Sequence, residues 1–171
     1  MKKKYSISLK LTNKQIILWI CLILWMMVIF MFSAQNGEDS AELSGGITEQ
    51  VIKIVVEDYE DMTPAEQETV QNNVSFVVRK TAHFTEYAIL GGILVLLVGT
   101  YTSLLKWRVL ISWCAGTVYA MTDEFHQTFS DGRSPKVFDV CVDGAGVIFG
   151  VAIVLAFCHI AIDKRKRKKL S

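Results

Sequence analysis

Hydrophobic residues gather into four long stretches, near positions 16–33, 80–101, 107–124 and 137–162. A hydrocarbon layer about 30 Å thick takes roughly 20 mostly apolar helical residues to cross. The first and last stretches meet that demand on apolarity alone. The middle two are shorter and carry polar residues at one end. Between the first and second stretch the pattern changes. Ile47, Val51, Ile54, Val55 and Tyr59 recur at helical spacing, with Glu49, Lys53, Glu57, Asp58 and Glu60 between them. That spacing predicts an amphipathic helix, lying on the membrane interface or packed on the protein. Ser33-Ala34-Gln35-Asn36-Gly37 is expected to end the first helix, the glycine serving as its cap. Thr63-Pro64-Ala65-Glu66 reads as a capping box with proline at the first helical position. The helix it opens, carrying Val70, Val74, Val77 and Val78, is expected to run straight into the second span.

Charge sets the orientation of this pattern. Lys2, Lys3, Lys4, Lys10 and Lys14 precede the first span, Lys106 and Arg108 separate the second from the third, and six basic residues (164–169) follow the fourth. From Ser33 to Asn73 the chain instead carries ten carboxylates and one lysine, Lys53. Positive charge in short loops stays cytoplasmic. Three basic clusters ask for the same parity, so both termini are expected in the cytoplasm, with segment 34–79 outside. The expected fold is an all-α membrane protein: a four-helix transmembrane bundle with short amphipathic helices in the first extracytoplasmic segment. Residues 1–15 and 163–171 are basic cytoplasmic ends flanking a membrane domain over 16–162, and the expected location is the plasma membrane. The basic ends read as topology signals rather than nucleic-acid arms. No A-x-A-like site follows Phe32, which argues against a cleaved leader.

Cys21, Cys114, Cys141 and Cys158 all fall within spans and have no CxxC spacing. They read as small apolar packing residues rather than disulfides or thiolate ligands. Trp19, Trp25, Trp107 and Trp113 read as ordinary span or interface residues, and His159 as an interfacial side chain.

With this topology three polar segments converge near the outer face. The second span enters through Arg79-Lys80-Thr81-Ala82-His83-Phe84-Thr85-Glu86-Tyr87. The third leaves through Tyr119-Ala120-Met121-Thr122-Asp123-Glu124-Phe125-His126-Gln127. The fourth re-enters after Asp131-Gly132-Arg133-Ser134-Pro135, carrying Asp139 and Asp143 one turn apart. Lys80, His83 and Tyr87 share a helical face, with Glu86 beside His83; Gln127 shares a face with Asp123 and with Glu124. Asp139, Asp143, Gly146 and Gly150 form a single stripe, whose Gly-x-x-x-Gly half permits close helix approach. A carboxylate in mid-membrane costs about 2.5–3.5 kcal/mol on insertion scales. Such acids are expected to meet Lys80, Arg133, His83, His126, water or a metal, with Arg133 the natural bidentate partner of Asp123, Glu124 or Asp139. Asp131 reads as a turn residue. His83, Glu86, Asp123 and Glu124 are the candidates for acid–base chemistry. Lys80, Tyr87, His126, Gln127, Arg133, Asp139 and Asp143 are the candidates for lining a binding pocket. His83, Glu86, Asp123, Glu124 and His126 are possible metal donors, but no HExxH spacing is present, so metal and cofactor stay open.

The same residues carry a family resemblance. Phe32-Ser33-Ala34-Gln35, Arg79-Lys80-x-x-His83-Phe84-x-Glu86-Tyr87-x-x-Leu90-Gly91, Asp123-Glu124-Phe125-His126-Gln127, Gly132-Arg133 and Asp139-x-x-x-Asp143-x-x-Gly146-x-x-x-Gly150 together resemble the VanZ-like family of bacterial membrane proteins. The segment 37–73 matches loosely, and the basic tail is outside the pattern. The resemblance implies a four-helix membrane fold. The family's eponymous member is associated with low-level resistance to teicoplanin, a glycopeptide acting at the cell envelope; carrying that role to this chain is analogy.

Three functions compete at this point. One is an envelope protein that alters access of glycopeptide or lipoglycopeptide antibiotics to their target through an outer polar pocket. Another is a membrane hydrolase or transferase acting on a lipid-linked or wall-linked substrate. The third is a structural or partner-binding protein whose polar cluster staples helices. The expected partners are the lipid bilayer and a cell-envelope lipid or wall precursor, with no nucleic acid. No nucleophile elbow is present, so an acyl-enzyme route has little support.

Overall fold

The computed structural model describes residues 11–34, 37–128 and 136–170, with side chains omitted over 37–44 and 169–170. The described chain contains five α-helices: α1 (Asn13–Ser33), α2 (Gly37–Val55), α3 (Pro64–Val98), α4 (Leu105–Gln127) and α5 (Val137–Leu170), with a 3-10 turn over Tyr59–Asp61. α1, α3 and the Val137–Lys168 stretch of α5 are long and apolar enough to cross a membrane. α4 falls short of that apolarity. It bears Lys106 and Arg108 at one end, Asp123 and Glu124 at the other, and Ser112, Gly116, Thr117, Tyr119 and Thr122 between them.

Two helices begin on capping boxes. At α3 the Thr63 amide and hydroxyl both donate to Glu66 Oε2, at 2.9 and 2.7 Å. At α1 the Thr12 amide donates to Gln15 Oε1 at 2.9 Å, and the Gln15 amide donates back to Thr12 Oγ1 at 3.3 Å. These pairings satisfy amides that the first helical turn leaves without partners. The amphipathic segment departs from expectation in length. Its helix runs from Gly37 to Val55 and stops short of Tyr59, which opens the 3-10 turn. Gly37 opens α2 instead of closing α1, whose cap is Ala34 in a right-handed helical conformation.

α3 and α5 form the most extensive pairing, and α4 packs on both, while α1 packs mainly on α3. Glycine sets the α3–α5 distance. A Cβ on Gly146 would strike the carbonyl oxygen of Phe84, one on Gly150 that of Ala88, and one on Gly91 that of Val147. The two backbones therefore touch, as a Gly-x-x-x-Gly face permits. Gly116 of α4 admits the Val147 side chain, whose Cγ2 lies 2.7 Å from a Cβ built there. Leu22, Ile29, Tyr87, Leu90, Leu94, Leu97, Ala120 and Val147 form the buried core around these contacts.

Much of the remaining apolar surface faces outward. Ile17, Ile20, Ile23, Leu24, Met27 and Met31 of α1 are exposed, as are Phe138, Phe149 and Phe157 of α5. Water would tax that surface at about 25 cal/mol per Å2, whereas lipid does not. The expectation that the cysteines pack inside is corrected. Cys21, Cys114 and Cys141 are exposed on outward helix faces, Cys158 is half-buried, and all four are free thiols.

Candidate functional site

One end of the bundle collects polar side chains from four helices. The last turn of α1 brings Ser33, fully buried, and the last turns of α4 bring Asp123, Glu124 and Gln127, each less than a tenth exposed. The middle of α3 brings Lys80, His83, Glu86 and Tyr87. The first turns of α5 bring Asp139 and Asp143, the latter 4% exposed. The neighbours at this level follow from helix direction: α3 and α5 run in parallel, opposite to α1 and α4.

Specific bonds hold the arrangement. Lys80 Nζ lies 2.6 Å from Asp139 Oδ2, an α3–α5 ion pair with about a fifth of each side chain exposed. Glu124 Oε1 accepts the Lys136 amide at 2.6 Å, which ties α4 to the start of α5. Gln127 Nε2 donates to Ser33 Oγ at 2.8 Å and makes a longer contact of 3.4 Å to Asp123 Oδ2. His83 Nδ1 stands 3.9 Å from Glu86 Oε2, one turn away on the same helix. Asp143 lies within electrostatic reach of Asp123, Glu124, Asp139 and Lys80.

At the centre, the fully buried Tyr87 hydroxyl faces the Asp123 carboxylate. The Asp123 carboxylate is the shared acceptor here, approached by the side chains of Ser33, Tyr87 and Gln127. The Tyr119 ring lies 6.2 Å from that of Tyr87, and its hydroxyl donates to the Met26 carbonyl at 2.7 Å. His126 stands somewhat apart, with its ring 4.5 Å from that of Phe30 at the α1 edge.

The structure thus draws together Lys80, His83, Glu86, Tyr87, Asp123, Glu124, Gln127, Asp139 and Asp143, with His126 at the rim. Arg133 and Asp131 lie outside the described residues. Asp139, one of the acids expected to meet Arg133, is held by Lys80. Glu124, another, is held by the Lys136 amide.

Sequence reasoning missed two participants, Ser33 and Trp25, and gave a third, Tyr119, no role of its own. Ser33 reads as a helix terminator but is the buried partner of Gln127. Trp25 reads as an ordinary span residue, yet its Nε1 donates to the Glu86 carbonyl at 2.9 Å and pins α1 to α3. Tyr119 links α1 to the cluster. A signal for Trp25 and Tyr119 did exist, since each carries one polar atom that must find a partner at membrane depth.

The donor set is oxygen-rich. Among the described residues no group of three or more His, Cys, Asp or Glu side chains is disposed to hold a metal ion. The arrangement can neutralise charge, orient a polar group and accept hydrogen bonds.

Span-length apolar helices with an outward apolar surface, closed around ionisable groups at one end, define a helical membrane protein. A family model agrees with the geometry and narrows the class. The chain belongs to the VanZ/LLP1 family, whose model matches residues 18–159 and so takes in every helix that contributes to the cluster. No curated protein and no solved structure matches the chain.

Proposed function

We propose that this is a four-span protein of the plasma membrane with both termini in the cytoplasm. On this reading its polar cluster opens at the outer face, binds an envelope amphiphile or wall precursor, and contributes to resistance against glycopeptides or lipoglycopeptides. α4 serves as the fourth span. Its 23 residues extend about 34 Å at 1.5 Å per residue, enough for the hydrocarbon layer. Its charges sit at its two ends, and its less apolar middle faces α3 and α5 rather than lipid. Orientation rests on the three basic clusters.

The observation that carries the binding reading is the near-complete burial of Asp123, Glu124 and Asp143 beside Tyr87. Buried ionisable groups inside a membrane bundle are expensive and mark functional sites more often than not. Susceptibility profiling of a deletion strain, complemented with wild type, Asp123→Asn or His83→Ala, tests the reading. Loss of tolerance in the deletion and in the Asp123→Asn complement, at unchanged protein level, supports it. A flat profile across glycopeptides and lipoglycopeptides removes the resistance role.

The His83–Glu86 pair supports a second reading, a hydrolase or transferase acting on a lipid-linked substrate. The pair can move a proton at the lipid boundary, because each side chain is about a fifth exposed. Lipid extracts from cells with and without the protein would then differ in one consumed species. The stapling role draws on the Gln127–Ser33 and Lys80–Asp139 bonds. It expects every substitution in the cluster to reduce folded protein rather than a phenotype alone.

A further inference from the structure

A second concavity lies away from the polar cluster, in the hairpin formed by α2 and the first turns of α3. α2 packs on α3 and buries Thr48 and Ile52. Beside that seam opens a cleft of about 620 Å3, with the 3-10 turn as its third wall. Ligand pockets span about 300–1,000 Å3. The floor is apolar: Ile52 is 3% exposed, and Val56 and Tyr59 are half-buried. The rim carries the exposed carboxylates Glu49, Glu57 and Glu60 and one cation, Lys53. Gln67 and Gln71 of α3 complete the lining. Gln67 Nε2 donates to the Tyr59 carbonyl at 2.9 Å, which holds the turn against α3 and keeps the cleft formed.

Charge selects the occupant. From Ser33 to Asn73 the chain holds ten carboxylates and one lysine. Among the described residues none of the four charges lining the cleft is in an ion pair, although Lys53 lies one turn from both Glu49 and Glu57. A nucleic acid would meet like charge here. An anionic lipid surface would do the same. A second copy would bring an equally acidic segment to the same place. A metal ion finds no group of three donors among the described residues and leaves the apolar floor uncovered. A basic side chain suits both halves of the cleft. Its methylene stem lies on Ile52, Val56 and the Tyr59 ring, while its charged head meets the rim carboxylates. The side-chain amide of Gln71, exposed at the edge, can both donate to and accept from a peptide group beside such a residue.

We propose that the cleft between α2, the 3-10 turn and α3 binds a basic polypeptide segment, with a lysine or arginine stem on Tyr59 and its charge against Glu57 and Glu60. The partner is extracytoplasmic on the topology proposed above. The inference does not depend on the polar cluster or on antibiotic resistance.

The test is fluorescence anisotropy with the full chain in phosphatidylcholine nanodiscs, empty nanodiscs serving as the blank. The probes are a labelled lysine–leucine peptide and the same peptide with glutamate in place of lysine; spermidine and calcium chloride are the competitors. Saturable binding of the lysine peptide at about 0.15 M salt, and none of the glutamate peptide, is expected. Two double variants remove equal charge. Glu57→Gln with Glu60→Gln, on the rim, weakens binding about tenfold or more. Asp58→Asn with Glu68→Gln, exposed but outside the lining, changes it less than about twofold, because salt screens charges that do not touch the ligand. Gln71→Trp obstructs the cleft from an exposed position and weakens binding as well. Far-UV circular dichroism and gel filtration confirm that each variant is folded, and the comparison of the two peptides on the wild-type chain stands without any variant. Equal losses from the two double variants assign the binding to net charge alone and overturn the site. Absence of lysine-peptide binding, equal binding of the glutamate peptide, or displacement by spermidine or calcium at concentrations matched to the peptide overturns it too. A flat antibiotic profile leaves this inference standing, and its own failure leaves the reading of the polar cluster standing.

Discussion

Gly150→Ala probes the α3–α5 contact at its tightest point. The added methyl would strike the Ala88 carbonyl oxygen and lie 2.9 Å from Ala88 Cα. Ordinary contact begins near 3.4 Å, so the Cα alone demands that the helices part by about 0.5 Å, and the carbonyl demands more. Backbone on both sides leaves no flexible side chain to yield. A gap of 0.5–1 Å forfeits about a quarter to a half of each dispersion well it crosses, and this interface is the most extensive in the bundle. The expected cost is about 2–3 kcal/mol, the upper part of the range for overpacked sites. Against a total stability of about 5–15 kcal/mol that is readily measured. Reversible unfolding in mixed sodium dodecyl sulfate and dodecyl maltoside micelles, followed by far-UV circular dichroism, gives the number. Gly45→Ala is the control, because nothing lies within 4 Å of a Cβ there. It should be neutral or stabilising by up to about 1 kcal/mol, the helix-propensity difference. A Gly150→Ala protein within about 0.5 kcal/mol of wild type would show that the backbones do not meet as described.

Other outcomes follow from the same contacts. Lys80→Met should destabilise by about 1–2 kcal/mol by leaving Asp139 uncompensated in a partly exposed setting, and Lys80→Met with Asp139→Leu should recover most of it in a double-mutant cycle. Thr63→Ala should cost about 1 kcal/mol through loss of the α3 cap, with earlier proteolysis near residue 63 as a second readout. Gln127→Leu removes the bond to the buried Ser33 hydroxyl and the longer contact to Asp123, and should lower stability by about 1–3 kcal/mol in the same unfolding assay. In intact cells a membrane-impermeant maleimide should label Glu68→Cys and spare Lys164→Cys; the reverse pattern would invert the topology.

Legibility in the sequence followed the physics of each feature. Three of the four expected spans are long and apolar enough to cross a membrane. They were readable because lipid imposes a length and an apolarity that composition records, whereas α4 falls short of that apolarity. The Thr63 box was readable because capping is local, and the Thr12–Gln15 box, equally local, was overlooked. The glycine stripe on α5 pointed correctly to close packing. The direction in which each cysteine faces was not readable. In a membrane bundle the outer surface is as apolar as the core, so hydrophobicity no longer separates inside from outside. The same loss explains why Trp25 looked like a generic anchor: its role depends on a carbonyl some sixty positions later in the chain. The polar cluster was readable as a set of residues, since charge in a span stands out. Its internal pairing was not, because whether Lys80 or another cation meets Asp139 depends on helix rotation. That rotation is fixed by where Gly146 and Gly150 let the two backbones touch.

α3 has 35 residues and is unbroken, about 52 Å of continuous helix against a hydrocarbon layer near 30 Å. Between Ala65 and Leu90 it contains neither glycine nor proline, so it has no hinge at which to flex. One uninterrupted rod thus joins the α2 contact at Gln67 and Gln71 to Tyr87, so the acidic segment and the polar cluster are built on the same helix.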